Sequence, residues 1–81
     1  MKYLPIFLDL DDRHVVVVGG GEKAAQKLRL LARTGARITV VAETVSQEIA
    51  RLAADGRIAI AARRFAAADL DGASIAFAAS D

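Results

Sequence analysis

This chain of 81 residues has no cysteine, no tryptophan and a single proline. Without cysteine it can form neither a disulfide nor a thiolate metal site, which is compatible with a reducing compartment. Its 11 basic residues nearly balance its 10 acidic ones, so its charge predicts no nucleic-acid partner. No stretch approaches the roughly 18 apolar residues of a membrane span. The short apolar segment at residues 3–8 is followed at once by acidic residues, unlike a signal peptide. We therefore predict a cytoplasmic protein with no membrane or nucleic-acid partner.

The most informative feature present is a strand-like run that ends in three glycines. Residues 15–18 are four consecutive valines, a pattern typical of a buried parallel strand. Three glycines follow at residues 19–21, and a helical pattern begins at Glu22. In this strand–turn–helix context, G-x-G-x-x-G/A is a dinucleotide-binding fingerprint. The alternative is an ordinary βα turn that happens to be rich in glycine.

Each position of the fingerprint has a physical task. Gly19 permits a tight turn, Gly21 lets the backbone approach a pyrophosphate, and Ala24 is small enough for close packing of the helix on the strand. The helix N-terminus then offers N–H groups and a positive dipole end to an anion. The residues predicted to contact the cofactor here are Gly19, Gly20, Gly21, Glu22, Lys23 and Ala24.

Strands and helices alternate along the rest of the chain. The patterns predict strands over residues 14–18, 37–42, 57–61 and 74–79, helices over 22–33 and 45–54, and a short helical or irregular crossover over 65–71. Thr44 and Gln47 stand at capping-box spacing before the second helix, with Ser46 as a rival cap. This alternation predicts an α/β fold, a Rossmann-like doubly wound parallel sheet with the strand order 3-2-1-4.

A fold of this kind needs further strands beside the fourth one. The sequence ends at Ser80 and Asp81, at the predicted carboxyl end of that strand. We therefore expect residues 1–81 to be the N-terminal part of an NAD-binding Rossmann domain, truncated after the fourth strand. A chain that stopped here would leave that strand as an exposed apolar edge.

Several short motifs along the whole chain point to one family. They are YLPIF at residues 3–7 with Leu10, VVVGGGE at 16–22 with Ala25 and Lys27, GA at 35–36, TVVA at 39–42, GRI at 56–58, RF at 64–65, DLDG at 69–72 and AASD at 78–81. In these motifs the chain resembles the N-terminal domain of siroheme synthase, the precorrin-2 dehydrogenase and sirohydrochlorin ferrochelatase module. The lead-in at residues 3–7 makes the resemblance much more specific than the glycines alone.

The resemblance implies an enzyme of siroheme biosynthesis. Members of this family use NAD to oxidise the tetrapyrrole precorrin-2 to sirohydrochlorin, and many also insert ferrous iron into the product. Their homodimer is built largely from segments that would follow residue 81. Their catalytic aspartate lies on the next strand, so no catalytic residue is assigned in this chain, and Asp81 is not taken as that base. By itself the stretch is expected to be a cofactor-binding half.

The end of the second strand is a second part of the predicted site. An acid about 20 residues past the glycines commonly binds the ribose hydroxyls of NAD. Glu43 stands there, where the family usually has proline; the alternative is an exposed loop carboxylate. The resemblance implies main-chain contacts at Val41 and Ala42 instead. Because no basic residue directly follows this strand, NAD is favoured over NADP.

The end of the fourth strand, Ala79 with Ser80 and Asp81, is predicted to contact cofactor or substrate, because ligands bind at the carboxyl edge of such sheets; a plain strand end is the alternative. The other polar candidates are expected to be structural. His14 opens the first strand at the far edge, and Arg63 with Arg64 is more readily a solvated pair than a tetrapyrrole site. No grouping has metal-ligand spacing.

Two rival functions use the same sequence features. One is a non-catalytic NAD-binding regulatory module with this half-fold. The other is a truncated remnant that binds nothing. Titration with NAD distinguishes the enzyme from the remnant, which would not bind it. The presence or absence of the downstream aspartate distinguishes the enzyme from the regulatory module.

Overall fold

The computed structural model describes residues 10–79, which alternate between strands and helices. The elements are β1 (His14–Val18), α1 (Glu22–Leu31), β2 (Arg37–Val41), α2 (Gln47–Ala54), β3 (Ala59–Ala61), a 3₁₀ helix (Ala67–Leu70) and β4 (Ile75–Ala78). The strands pair in parallel in the order β3-β2-β1-β4. The predicted Rossmann-like class and the order 3-2-1-4 are confirmed.

The predicted start of α2 was wrong, and the rival cap is correct. The N-cap is Ser46, whose Oγ accepts a hydrogen bond from the backbone N–H of Ile49 at 3.3 Å. Thr44 lies two residues before this cap, and its backbone lies against the turn after β1. The helix therefore begins at Gln47 rather than at residue 45.

Other predicted bounds were too generous because turns close earlier than the patterns suggest. Helix α1 ends at Leu31 rather than residue 33, since the N–H groups of Arg33 and Thr34 bond to carbonyls three residues back. Strand β3 loses its first two predicted residues because Arg57 N–H donates to Leu52 O in the turn after α2. Strands β2 and β4 are shorter than predicted. The parallel hydrogen bonding nevertheless continues one residue past each strand, because Ala42 N–H donates to Ala61 O and Ala79 N–H donates to Val18 O.

Both helices contribute to one hydrophobic core against the sheet. Alternate residues of β1 and β2 face α1 and α2, and the fully buried members of this core are Val15, Val17, Ala24, Ala25, Leu28, Val40 and Ile49. Burying a side chain of the size of Leu28 or Ile49 contributes roughly 1.5–3 kcal/mol. These two residues therefore hold α1 and α2 in fixed positions on the sheet.

The sheet places the carboxyl ends of β1 and β2 side by side. Val18 pairs with Val41 in the parallel register, so the loops that leave both strands emerge at the same edge. Within residues 10–79, β3 and β4 are the outer strands. The lead-in motif at residues 3–7 and the predicted contacts Ser80 and Asp81 lie outside the described residues. No helix in the described part is long and apolar enough to cross a membrane.

Candidate functional site

The turn after β1 depends on glycine at its first position. Gly19 has φ = 134°, a region that residues with a Cβ rarely adopt. Its N–H donates to the carbonyl of Val41 at 3.1 Å, so the turn is tied to the end of β2. The chain can therefore leave the central strand sharply and enter α1 at the carboxyl edge of the sheet.

The second glycine brings two loops into backbone contact. The carbonyl of Gly20 accepts a hydrogen bond from Ser46 N–H at 2.8 Å. A Cβ on Gly20 would overlap the carbonyl oxygen of Thr44. The absence of a side chain thus lets the β1–α1 turn and the β2–α2 loop form one continuous wall.

The two helices differ in how their N-termini are satisfied. Gly21 is the N-cap of α1 and has extended backbone (φ = −99°, ψ = −154°), and no side chain caps the helix. In α2 the Ser46 hydroxyl performs that task. An N-terminus of this kind, with its positive dipole end, favours an anion. Ala24, one turn further on, is fully buried, as its predicted packing role requires.

A cavity of roughly 320 Å³ lies at the carboxyl ends of β1, β2 and β3. Its lining residues are Val18, Gly19, Gly20, Val41, Ala42, Glu43, Thr44, Arg63, Arg64 and Phe65. Five of the predicted contact residues are therefore brought together here: Gly19, Gly20, Val41, Ala42 and Glu43. The predicted contacts Gly21, Glu22, Lys23 and Ala24 do not line the cavity and lie beside it, at the start of α1.

The third wall of the cavity was missed in the sequence. Arg63 and Arg64 are largely exposed, as expected for a solvated pair, but they also line the cavity. Thr44 and Phe65, which were not assigned any contact, line it as well. A signal was present in the predicted strand order. Because β3 lies next to β2, residues that follow β3 must emerge beside those that follow β2.

An exposed ion-pair cluster links the two helices near this edge. Arg29 on α1 bonds to both carboxylate oxygens of Glu48 at 2.7 Å and to Glu22 at 3.1 Å. These hydrogen bonds raise the pKa of Arg29, and the bond to Glu48 has the larger effect. The carboxylate of Glu22 is thus held by Arg29, and its charge is partly offset at the N-terminus of α1.

The wall formed after β3 is held by a second ion pair. Asp69 on the 3₁₀ helix accepts hydrogen bonds from both terminal nitrogens of Arg63 and, at 2.8 Å, from Ala66 N–H. The carboxylate is only 8% exposed. The bond to Arg63, followed by that to Ala66, lowers the pKa of Asp69 to about 2. Together they clip the segment that carries Arg64 and Phe65 to the 3₁₀ helix.

The ion pair between Arg63 and Asp69 should make the stability of the protein depend on pH in the acidic range. A carboxyl whose pKa is depressed on folding stabilises the native state above its ordinary pKa of 3.8, and that stabilisation is lost as the pH falls towards about 2. We expect the urea-unfolding free energy of the native protein to fall over this window more steeply than that of the Asp69→Asn variant. Identical pH profiles for the two proteins would contradict the clip.

At the far edge of the sheet, His14 has a structural contact. His14 Nε2 lies 3.0 Å from Thr39 Oγ1, a contact between neighbouring strands away from the cavity, as a structural histidine would make. In the described residues no three acidic or histidine side chains are grouped so that they could hold a metal ion.

The chain matches known proteins over nearly its whole length. A family described as "Putative NAD(P)-binding" matches residues 6–81. "Siroheme synthase 1" of Yersinia enterocolitica is 49% identical and "Siroheme synthase" of Methylobacillus flagellatus is 47% identical, each over all 81 residues of this chain. The chain spans 17% of the length of either relative.

A solved structure has the same fold. "SirC, precorrin-2 dehydrogenase" superposes with a TM-score of 0.92 at 35% identity, covering 98% of this chain and 40% of that one. The resemblance drawn from the sequence motifs is confirmed by these matches. With the glycine turn, the α1 N-terminus and the family match covering residues 6–81, the chain belongs to this NAD(P)-binding family.

Proposed function

We propose that this chain binds NAD at the carboxyl ends of β1 and β2, as the cofactor-holding part of a precorrin-2 dehydrogenase. The observation that carries the proposal is the glycine turn, which leads from the central strand into a helix N-terminus without a side-chain cap. The pyrophosphate would lie over Gly21, against the first turn of α1. The contacts proposed for Glu22, Lys23 and Ala24 then come from the backbone of that turn.

The other walls suit the adenosine half of a dinucleotide. Val41 and Ala42 end β2 beside the turn, and Glu43 adds a carboxylate that can accept hydrogen bonds from ribose hydroxyls. Phe65 is 42% exposed and offers an apolar ring against which a base can stack. The cavity volume of roughly 320 Å³ is at the lower end of the range of about 300–1,000 Å³ for ligand pockets. These residues fit the group.

The positions of the residues suggest what NAD and the protein would each contribute to the reaction. When bound, NAD supplies the hydride acceptor, while the protein supplies orientation and electrostatics. The α1 N-terminus would fix the pyrophosphate and the cavity would fix the adenosine, which together direct the nicotinamide along the carboxyl edge past β1. Ser80 and Asp81, which follow β4 in sequence, are proposed to contact cofactor or substrate at that edge.

The substrate and the partners proposed here concern the whole protein. The name "precorrin-2 dehydrogenase" of the solved relative supports removal of hydride from precorrin-2. We propose that the product is sirohydrochlorin and that the protein acts in the cytoplasm. Since the chain spans 17% of the siroheme synthases and 40% of the dehydrogenase, we propose that it is the N-terminal part of an NAD-binding domain. The catalytic group, any ferrous-iron insertion and the homodimer contacts would then be supplied by the remaining segments.

The proposal is tested by titrating NAD into the full-length protein by calorimetry and then adding precorrin-2 while following the absorbance of NADH. Saturable binding and formation of NADH are expected. Binding without turnover would favour the regulatory module, in which the same half-fold only senses NAD. Absence of binding by a folded protein would overturn the proposed site.

A further inference from the structure

Two oppositely charged side chains face each other at the mouth of the cavity. Glu43 directly follows β2, and Arg64 follows β3. Arg64 Nε lies 3.9 Å from Glu43 Oε1, and the two side chains are 87% and 68% exposed. This is a loose, solvated ion pair, which contributes little to stability. The pair is therefore free to rearrange around a ligand.

The neighbouring arginine has a different partner. Arg63 is committed to Asp69 by a two-pronged bond, which offsets its charge. Of the basic residues that line the cavity in residues 10–79, Arg64 is thus the one whose charge is held only by the loose contact with Glu43. If Glu43 lost its charge, the cation of Arg64 would be left without its ion-pair partner beside the end of β2.

The end of β2 is where NAD and NADP are told apart in folds of this class. A carboxylate here accepts a hydrogen bond from the ribose 2′-hydroxyl of NAD, whereas an arginine accommodates the 2′-phosphate of NADP. The sequence has no basic residue directly after β2. The fold provides one from the next strand, because the segment after β3 lines the same cavity.

We propose that Glu43 and Arg64 together set the preference of this site for NAD over NADP. Glu43 repels the 2′-phosphate and occupies Arg64, so NADP is disfavoured in the native protein. Removal of the Glu43 charge releases Arg64 as a receiver for the phosphate, since arginine and phosphate form strong, charge-assisted hydrogen bonds. The proposal rests on NAD binding at the proposed site and adds the residue that discriminates between the two cofactors.

The test measures dissociation constants of NAD and NADP by calorimetry for four forms of the full-length protein. The forms are the native protein, Glu43→Gln, Arg64→Ala and the double variant. Glu43→Gln should raise the affinity for NADP relative to NAD by about tenfold, as expected for one gained phosphate contact. The double variant should lose that gain. Asp55→Asn, which removes a carboxylate after α2 away from the cavity, should leave the ratio unchanged.

The outcomes separate this proposal from the one on which it rests. If the native protein binds NAD but Glu43→Gln leaves the affinity ratio within twofold of native, the discriminating pair is wrong and NAD binding stands. A gain that persists in the double variant would likewise overturn the role of Arg64. If the native protein and Glu43→Gln bind neither nucleotide, the site itself is wrong and both proposals fall. Because the side chains of Glu43 and Arg64 are exposed, their replacement should not affect folding.

Discussion

Replacing Gly21 by valine should abolish NAD binding and leave the protein folded. Gly21 has φ = −99°, so a side chain there introduces no left-handed strain. The valine side chain would occupy the space over the first turn of α1 where the pyrophosphate is proposed to lie. The hydrogen bonds proposed between the first turn of α1 and the pyrophosphate are charge-assisted, at about 1.5–3 kcal/mol each, so the loss of two of them would weaken NAD binding by a hundredfold or more. Calorimetric titration of NAD into the folded variant measures the effect.

A second glycine variant serves as the control for this result. Gly56 lies in the turn after α2 with φ = 79° and has open space around a built Cβ. Gly56→Ala should therefore cost about 1–2 kcal/mol of stability through backbone strain and leave NAD affinity unchanged. The pair of variants separates loss of binding from loss of stability. If Gly21→Val bound NAD within threefold of the native protein, the pyrophosphate could not lie over this turn.

The part of the site built by local sequence could be predicted. The valines of β1 and the glycines after them act within ten residues, and the alternation of strands and helices sets the neighbours of β1. The predicted turn at Gly19 is confirmed by its φ of 134°. The NAD contacts predicted at Val41, Ala42 and Glu43 remain a proposal. It is supported by the position of these residues, which line the same cavity as Gly19.

The remainder depends on contacts between segments that are distant in sequence. Ser46 rather than Thr44 caps α2, and the N–H of Ser46 bonds to the carbonyl of Gly20, 26 residues earlier in the chain. The segment that carries Arg64 is held in position by the ion pair between Arg63 and Asp69. No hydrophobic periodicity in the sequence predicts this ion pair. Sequence patterns record the faces of strands and helices. They do not record where an irregular segment returns to the sheet.

That backbone contact predicts a large loss of stability for Gly20→Ala. The added Cβ would overlap the Thr44 carbonyl oxygen and come within 3.0 Å of Val45 Cα, and no side-chain rotation can relieve a collision with backbone atoms. The φ of Gly20 is not positive, so the overlap alone determines the effect. Overpacking of this kind costs typically 1–3 kcal/mol. For a domain of this size, a loss of about 2 kcal/mol corresponds to a fall in Tm of roughly 10 °C.

Gly35→Ala provides the matched comparison, because the atom nearest to its built Cβ belongs to the side chain of Asp11. The Asp11 side chain would have to shift, and Asp11 Cα lies 3.3 Å from that Cβ, so the cost should be smaller than that of Gly20→Ala, where the colliding atoms are all backbone. Thermal unfolding of both variants measures the difference. Gly20→Ala should also weaken NAD binding, since moving Thr44 displaces a wall of the cavity together with the Ser46 N–H bond to Gly20. Equal melting temperatures for the two variants would mean that the loops after β1 and β2 are not in backbone contact. The two loops would then not form the continuous wall on which the proposed NAD site depends.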